Sequence, residues 1–169
     1  MPFTVRVSGA EELEQGSDPA FVALENARRK VRAALLPGAA EAVLGCDTIV
    51  VLDGTIYGKP ADEAQARATI TALGGRTHEV ISGVALLLGD GRSEVLERTA
   101  VARTRVTFRA IEEDLLDWYV ATEEWRGRSG GYAIQGAGAT LALELDGEVE
   151  NVVGLPLATL LEIYPELQQ

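Results

Sequence analysis

The sequence predicts an α/β protein with a mixed sheet, and three observations support that class. Helical patterns interleave with apolar strand-like runs, at least two pairs of strands are separated by hairpin turns, and no repeat or linker divides the 169 residues. Since hairpins join antiparallel strands and helices separate others, we expect a mixed sheet rather than an all-parallel one. A chain of this length buries about 70% of its unfolded surface, which suits a single domain over residues 1–169.

The first third of the chain predicts a strand and a helix. Phe3–Val7 alternates apolar and polar residues, which is typical of a half-buried strand. Ser17 or Asp18 is expected to cap a helix over residues 19–36, which the Pro-Gly pair at 37–38 ends. The predicted inner stripe of this helix is Phe21, Leu24, Ala27, Val31 and Leu35.

The remaining elements follow from turn and cap residues. Asp53-Gly54 is a strong hairpin signal between two apolar runs, and Asp62 is a suitable helix cap. The predicted strands are Val43–Leu52, Thr55–Tyr57, Thr77–Leu88, Ser93–Phe108 and Thr140–Leu145. The predicted helices are 62–73, Ile111–Val120 and a short one after a loop in the C-terminal tail.

Composition and charge narrow the range of partners. The net charge of −11 disfavours long nucleic acid and anionic membranes, because both require a broad basic surface. A small anionic ligand stays open, since a few local cations can reverse the field within one cleft. Neither a transmembrane run nor a signal peptide is recognised, so we expect no membrane partner and a cytoplasmic protein. The one cysteine, Cys46, is expected to be a buried small side chain rather than a nucleophile.

Common catalytic motifs are missing. The sequence has no P-loop and no glycine-rich dinucleotide fingerprint opening a helix. Its single histidine, His78, excludes multi-histidine metal sites and is expected to be structural. Catalysis would therefore depend on carboxylates, lysines, arginines and a hard metal ion.

The segment GCDTIVVLDGTIYGKP places Asp47 and Lys59 around a hairpin. Such a ribbon returns on itself, so the two side chains could share one cleft. A carboxylate there could hold a divalent cation or deprotonate water, and the ammonium could bind phosphate. The alternative is a hairpin whose charged residues only face water.

Two further segments could contact a ligand or pack against the core. In GRSGGYAIQGAGA, the glycines let backbone amides approach a ligand, and Gln135 could read the edge of a base; the alternative is a flexible surface loop. The corner NVVGLP, residues 151–156, is interpreted as packing rather than catalysis.

These segments together resemble the Maf family of nucleoside triphosphate pyrophosphatases. The resemblance is carried in order by GCDTIVVLDGTIYGKP, ALGGRTHEVISGVAL, GRSGGYAIQGAGA and NVVGLPL, and it covers most of the chain. It implies an elongated, inosine-triphosphatase-like fold with a cleft between two lobes. It also implies hydrolysis of dTTP- or UTP-like nucleotides to the monophosphate and pyrophosphate, with Mg²⁺ or Mn²⁺ as cofactor and a homodimer as assembly.

The resemblance assigns roles residue by residue. Asp47, Lys30 and Lys59 match catalytic positions, while Thr48 and Gln135 match positions for substrate choice. Glu12 matches a residue for substrate binding that holds the metal together with Asp47, although the adjacent Glu11 leaves the register open. Leu115, Trp118 and Tyr119, or the apolar C-terminal tail, could supply the dimer contact.

One family motif is missing from the sequence. Family members usually carry Ser-x-Ser-Pro-Arg-Arg before the strand that resembles MPFTVRVSG, and this sequence has no such motif. A start site placed too late, a trimmed chain or a real loss would each explain it. The missing arginines favour one alternative, a nucleotide-binding regulatory protein of the same fold with weak or no activity. The name of the family, septum-formation-protein-like, suggests a second, a structural or partner-binding module in cell-division control.

Overall fold

The computed structural model describes residues 3–36, 40–90 and 95–168, and its centre is one five-stranded sheet. The strands are β1 (Ala42–Leu52), β2 (Thr55–Tyr57), β3 (Thr77–Gly89), β4 (Val95–Phe108) and β5 (Ala142–Asp146), in the order β2-β1-β3-β4-β5. The α/β class is confirmed, but the expectation of a mixed sheet is wrong, because every neighbouring pair in the described sheet is antiparallel. Strands β2 and β3 do run in the same direction across a helix, yet β1 lies between them.

Helices cover both faces of the sheet. They are α1 (Pro19–Ala34), α2 (Glu63–Leu73), α3 (Glu113–Ala121), α4 (Val149–Val153) and α5 (Leu157–Ile163). On one face, α1 packs through Val22 and Ala23 against Ile49 and Ile81. On the other face, α2 and α3 enclose a larger core with side chains of β1, β3 and β4. No helix in the described ranges is long and apolar enough to cross a bilayer.

The predicted strand at Phe3–Val7 is wrong. These residues belong to no helix or strand, and the side chain of Phe3 is 83% exposed. The alternating pattern supplies an apolar face, but none of the five strands pairs with this segment. Arg6 is held instead by an ion pair with Glu41 and a hydrogen bond to the carbonyl oxygen of Ala34.

Helix α1 begins as predicted, but its buried face coincides with the predicted inner stripe only at Ala27 and Val31. The carboxylate of Asp18 accepts hydrogen bonds from the amides of Ala20 and Phe21, which identifies Asp18 as the cap. Phe21, which was predicted to face inward, is 55% exposed. The buried residues are Val22, Ala23, Asn26, Ala27 and Val31.

The other predicted elements differ mainly at their ends. The hairpin at Asp53-Gly54 is confirmed, with both residues at positive φ. The C-terminal tail turns helical earlier than expected, at Val149. The predicted helix stop at residues 37–38 and the predicted strand start at Ser93 lie outside the described residues. The single-domain assignment over 1–169 stays a prediction.

His78 is a buried residue of β3 and links it to the glycine-rich loop. Its Nε2 lies 2.8 Å from the hydroxyl of Tyr132, and its ring packs edge-on against Phe108. Burial lowers the pKa of His78 from 6.5 to about 4, so the ring is neutral near pH 7. This fits the expected structural role.

We expect His78 to make the folded state less stable as the pH falls. The unfolded chain binds a proton near pH 6.5, whereas the folded chain does so only near pH 4, so stability decreases within that window. The loss from this one group is about 2 kcal/mol by pH 5. Urea unfolding at pH 7 and pH 5 should show a larger decrease in the free energy of unfolding for the wild type than for His78→Gln. Equal decreases would contradict the prediction.

Candidate active site

A cavity of about 210 Å³ opens at the outer edge of β1. Strand β2 pairs only with Val50–Leu52, so the earlier part of β1 has no strand partner on that side among the described residues. Side chains from both faces of β1 can therefore reach the same cavity. Five of the six predicted site residues line it, namely Lys30, Asp47, Thr48, Lys59 and Gln135.

Asp47 is the buried acid of this cavity, with 7% of its surface exposed. One carboxylate oxygen lies 2.6 Å from the Nζ of Lys30, and the other accepts a hydrogen bond of 2.9 Å from the side-chain amide of Asn26. Asn26 and Lys30 are one helical turn apart on α1, so a single helix face fixes both oxygens.

Lys30 connects Asp47 to the second predicted acid, Glu12. Its Nζ lies 3.0 Å from a carboxylate oxygen of Glu12. Burial opposes the charge of Lys30, but hydrogen bonds and attraction from Asp47 and Glu12 outweigh it and raise the pKa of Lys30. The ammonium group therefore stays charged throughout the neutral range.

Glu12 also faces Lys59, whose Nζ lies 3.9 Å from its other oxygen. Burial opposes the charge of Glu12, yet Lys30, with a contribution from Lys59, lowers its pKa. Glu12 does not line the cavity itself, but it joins the two lysines that do. The ion pairs also identify Glu12, not Glu11, as the acid in register with Lys30.

Close packing of α1 on the sheet brings these groups together. A side chain at Gly83, which pairs with Asp47 across β1 and β3, would lie 2.4 Å from the backbone of Ala23. A side chain at Gly45 would lie 2.6 Å from Val31. The two glycines thus allow α1 to approach the strands on either side of Asp47.

Asn26 is a site residue that the sequence analysis missed. It is 1% exposed, and its side chain also makes two hydrogen bonds to the backbone of Leu13, next to Glu12. Asn26 therefore fixes the position of Asp47 on β1 relative to the loop that carries Glu12.

Replacing Asn26 by alanine should weaken both the fold and the site. Buried partners left without a hydrogen bond cost about 1–3 kcal/mol in the free energy of unfolding. Displacing the carboxylate of Asp47 should also lower any turnover that depends on it about tenfold or more, because catalysis depends on position. Urea unfolding and initial rates measure the two effects, with Glu25→Ala on the same helix as control. An Asn26→Ala protein with wild-type stability and turnover would contradict this role.

Thr48 reaches the cavity from the opposite face of β1. Its hydroxyl lies 2.7 Å from the hydroxyl of the buried Ser82, its partner on β3. Its carbonyl oxygen accepts a hydrogen bond of 2.8 Å from the hydroxyl of Ser129. The outer edge of β1 is thus bonded to the glycine-rich loop instead of a strand.

The glycine-rich loop is ordered by specific contacts rather than being a flexible surface loop. The carboxylate of Glu124 accepts hydrogen bonds from the amides of Ala137 and Gly138, just after Gln135. Gly130 has a φ of 68°, and a side chain there would lie 2.6 Å from Val50. Gln135 is exposed and lines the cavity.

Two other segments contribute to the wall. Val152, Val153 and Gly154 line the cavity, so the corner at residues 151–156, interpreted as packing, also shapes the site. Cys46 lines it too, and burial raises the pKa of its thiol to about 11. A protonated thiol is a poor nucleophile, as expected for Cys46, but the residue is half-buried at the cavity wall rather than buried.

Arg128 and Ser129 are further lining residues that the sequence analysis did not select. Both lie within the glycine-rich segment that was singled out as a whole. The signal available for Arg128 was a basic residue flanked by Gly127 and Ser129 in a segment already suspected of binding a ligand.

Glu12 and Asp47 are the groups that suit a hard cation. Both lie within 3.0 Å of the same Lys30 Nζ, so they converge on one point. Residues 3–36, 40–90 and 95–168 contain no cluster of three or more acidic, histidine or cysteine side chains that could hold a metal. Because Mg²⁺ is usually held by one or two carboxylates together with other oxygen ligands, the two acids would supply only part of its ligands.

The cavity combines the buried carboxylate of Asp47 with three basic residues, which are Lys30, Lys59 and Arg128. These groups indicate an α/β protein whose cavity is suited to binding polyanions. Comparison with known proteins gives the family. The model of the Maf family, described as Maf-like protein, matches residues 1–167. The chain belongs to the Maf family.

Several curated relatives carry the same name, dTTP/UTP pyrophosphatase. The protein from Pyrococcus furiosus is 37% identical over 90% of this chain and 78% of its own length. The protein from Deinococcus radiodurans is 40% identical over 96% of this chain and 81% of its own. The protein from Bacillus cytotoxicus is 41% identical over the whole chain and 85% of its own.

Proposed function

We propose that this protein is a nucleoside triphosphate pyrophosphatase that hydrolyses dTTP and UTP to the monophosphate and pyrophosphate. The names of its relatives support the reaction and the substrates. The observation that carries the proposal is the shared cavity of Asp47, Lys30 and Lys59, which joins a buried acid to cations suited to phosphate.

In the proposed mechanism, Asp47 accepts the proton of a water that attacks the α-phosphorus. The bond to the bridging oxygen of the β-phosphate breaks, and pyrophosphate leaves with the bonding electrons. Lys30 and Lys59 neutralise the charge that grows on the phosphates as this bond lengthens. Glu12 and Asp47 would hold Mg²⁺ or Mn²⁺, which supplies further charge neutralisation.

Thr48 and Gln135 are assigned to substrate choice. Gln135 offers an amide donor and a carbonyl acceptor, which match the polar edge of uracil or thymine. The contact between Thr48 and Ser82 fixes the hydroxyl of Thr48 at the cavity wall.

Removing the Gln135 side chain should therefore weaken discrimination between bases. We expect Gln135→Ala to lower kcat/KM for UTP by about tenfold, the value of one to two hydrogen bonds, with a smaller effect on CTP. Gln65→Ala, which removes the same side chain from α2, serves as control. An unchanged ratio of UTP to CTP rates would contradict the assignment.

Pyrophosphate release from dTTP, UTP, CTP and GTP, with and without Mg²⁺ or Mn²⁺, tests the proposed function. We expect release from dTTP and UTP that depends on the added metal. Calorimetric titration with a nonhydrolysable dTTP analogue distinguishes the alternatives. Binding without release would indicate a regulatory nucleotide-binding protein, and absence of both would favour a partner-binding module in cell division.

A homodimer and a cytoplasmic location complete the proposal. Of the α3 residues considered for a two-fold contact, Tyr119 is buried and Trp118 is 48% exposed. Trp118 is therefore the better candidate for a contact between copies. Light scattering of the purified protein tests the dimer, and Trp118→Ala should shift it toward the monomer if α3 forms the contact.

A further inference from the structure

Arg128 lines the cavity from the glycine-rich loop. In the described part of the chain, its side chain makes no hydrogen bond or ion pair, whereas the two lysines of the cavity each contact Glu12. Arg105 and Arg109 likewise make no side-chain hydrogen bond or ion pair with the described residues, but neither lines the cavity. In a chain with a net charge of −11, a guanidinium left unpaired beside a polyanion cavity is available for a ligand.

The backbone that carries Arg128 is fixed in place beside the segment of Lys59. The amide of Gly130 donates a hydrogen bond of 3.0 Å to the carbonyl oxygen of Gly58, the residue before Lys59. The hydroxyl of Ser129 bonds the carbonyl oxygen of Thr48, and Gly130 packs tightly on Val50. Arg128 and Lys59 thus extend from two segments that are joined directly to each other.

Resting on the proposed function, we propose that Arg128 binds the β- and γ-phosphates of the substrate, the part that leaves as pyrophosphate. Lys30 is held between Asp47 and Glu12, so we assign it to the reacting centre, whereas Arg128 and Lys59 extend from two segments joined by the hydrogen bond between Gly130 and Gly58. A guanidinium can hold two phosphate oxygens at once, which suits a diphosphate group. Arg128 therefore complements Lys59 in binding the leaving group.

Inhibition by products tests this assignment in the full chain. Inorganic pyrophosphate and UMP are titrated separately, by calorimetry and as inhibitors of UTP hydrolysis. Arg128→Ala should weaken pyrophosphate binding about tenfold or more, the value of a charge-assisted hydrogen bond, while UMP binding changes less than about twofold. Arg128→Lys should fall between wild type and Arg128→Ala, because it keeps the charge but loses the planar fork.

Arg109→Ala is the matched control, since it removes the same charge from an exposed residue outside the cavity. Circular dichroism establishes that each variant is folded. Pyrophosphate binding by Arg128→Ala equal to that of Arg109→Ala would overturn the proposal, as would an equal loss of UMP binding. If the wild type releases no pyrophosphate from any nucleotide, the proposed function fails, but calorimetry with pyrophosphate still decides the role of Arg128.

Discussion

Replacing Asp47 by asparagine should lower turnover of dTTP and UTP by about 10²–10⁴-fold, the usual contribution of a general base. Asparagine keeps the size of the side chain and can still accept the hydrogen bond that Asn26 donates. It cannot take a proton from water at neutral pH. Its single acceptor oxygen can serve only one of the two donors, Asn26 and Lys30, so some stability is lost. The fold should persist, because Lys30 keeps its second partner, Glu12.

Asp53→Asn is the matched control for Asp47→Asn. Asp53 lies in the turn that follows the same strand, is exposed, and pairs with Arg76 outside the cavity. Its positive φ of 50° is one that asparagine adopts readily. Both variants lose one negative charge. A decrease in turnover that is confined to Asp47→Asn therefore reflects the position of Asp47 in the cavity rather than the net charge of the protein. Near-wild-type rates for Asp47→Asn would remove Asp47 from the mechanism.

The parts of the fold that the sequence predicted well depend on local signals. Asp18 and Asp62 accept hydrogen bonds from amides two or three residues away, and the Asp53-Gly54 turn joins adjacent strands. Pairing between distant segments was less predictable. The alternation in Phe3–Val7 is correct for a strand, but a strand also requires a neighbour, and a pattern within five residues does not show whether one exists.

The same division applies to the site. Asp47 and Lys59 belong to one hairpin segment, so their proximity could be expected from its turn. Asn26 was missed because its significance depends on close packing of α1 over Gly83, a contact between residues far apart in sequence. Arg128 gains its position through Gly130 and Gly58, another contact that composition and spacing do not encode.

Replacing Lys30 by methionine should damage stability and activity together. Methionine preserves most of the aliphatic stem but removes the charge 2.6 Å from the buried Asp47 carboxylate. Breaking a fully buried pair costs about 3–5 kcal/mol. Because Lys30 and Glu12 are partly exposed, we expect a smaller loss, about 1–3 kcal/mol, in the free energy of unfolding. Turnover should fall by about 10²-fold or more, since charge on the phosphates is no longer neutralised.

A double variant separates the two effects. Lys30→Met/Asp47→Asn contains no buried carboxylate without a partner, so it should be more stable than Lys30→Met alone while remaining inactive. Arg32→Met, on the same helix but paired with Glu97 at the surface, controls for the loss of a cation. Urea unfolding measures the stability of these three variants, and pyrophosphate release measures their activity. If the double variant is no more stable than Lys30→Met, the ion pair does not account for the loss, and the stem of Lys30 stabilises α1 by packing instead.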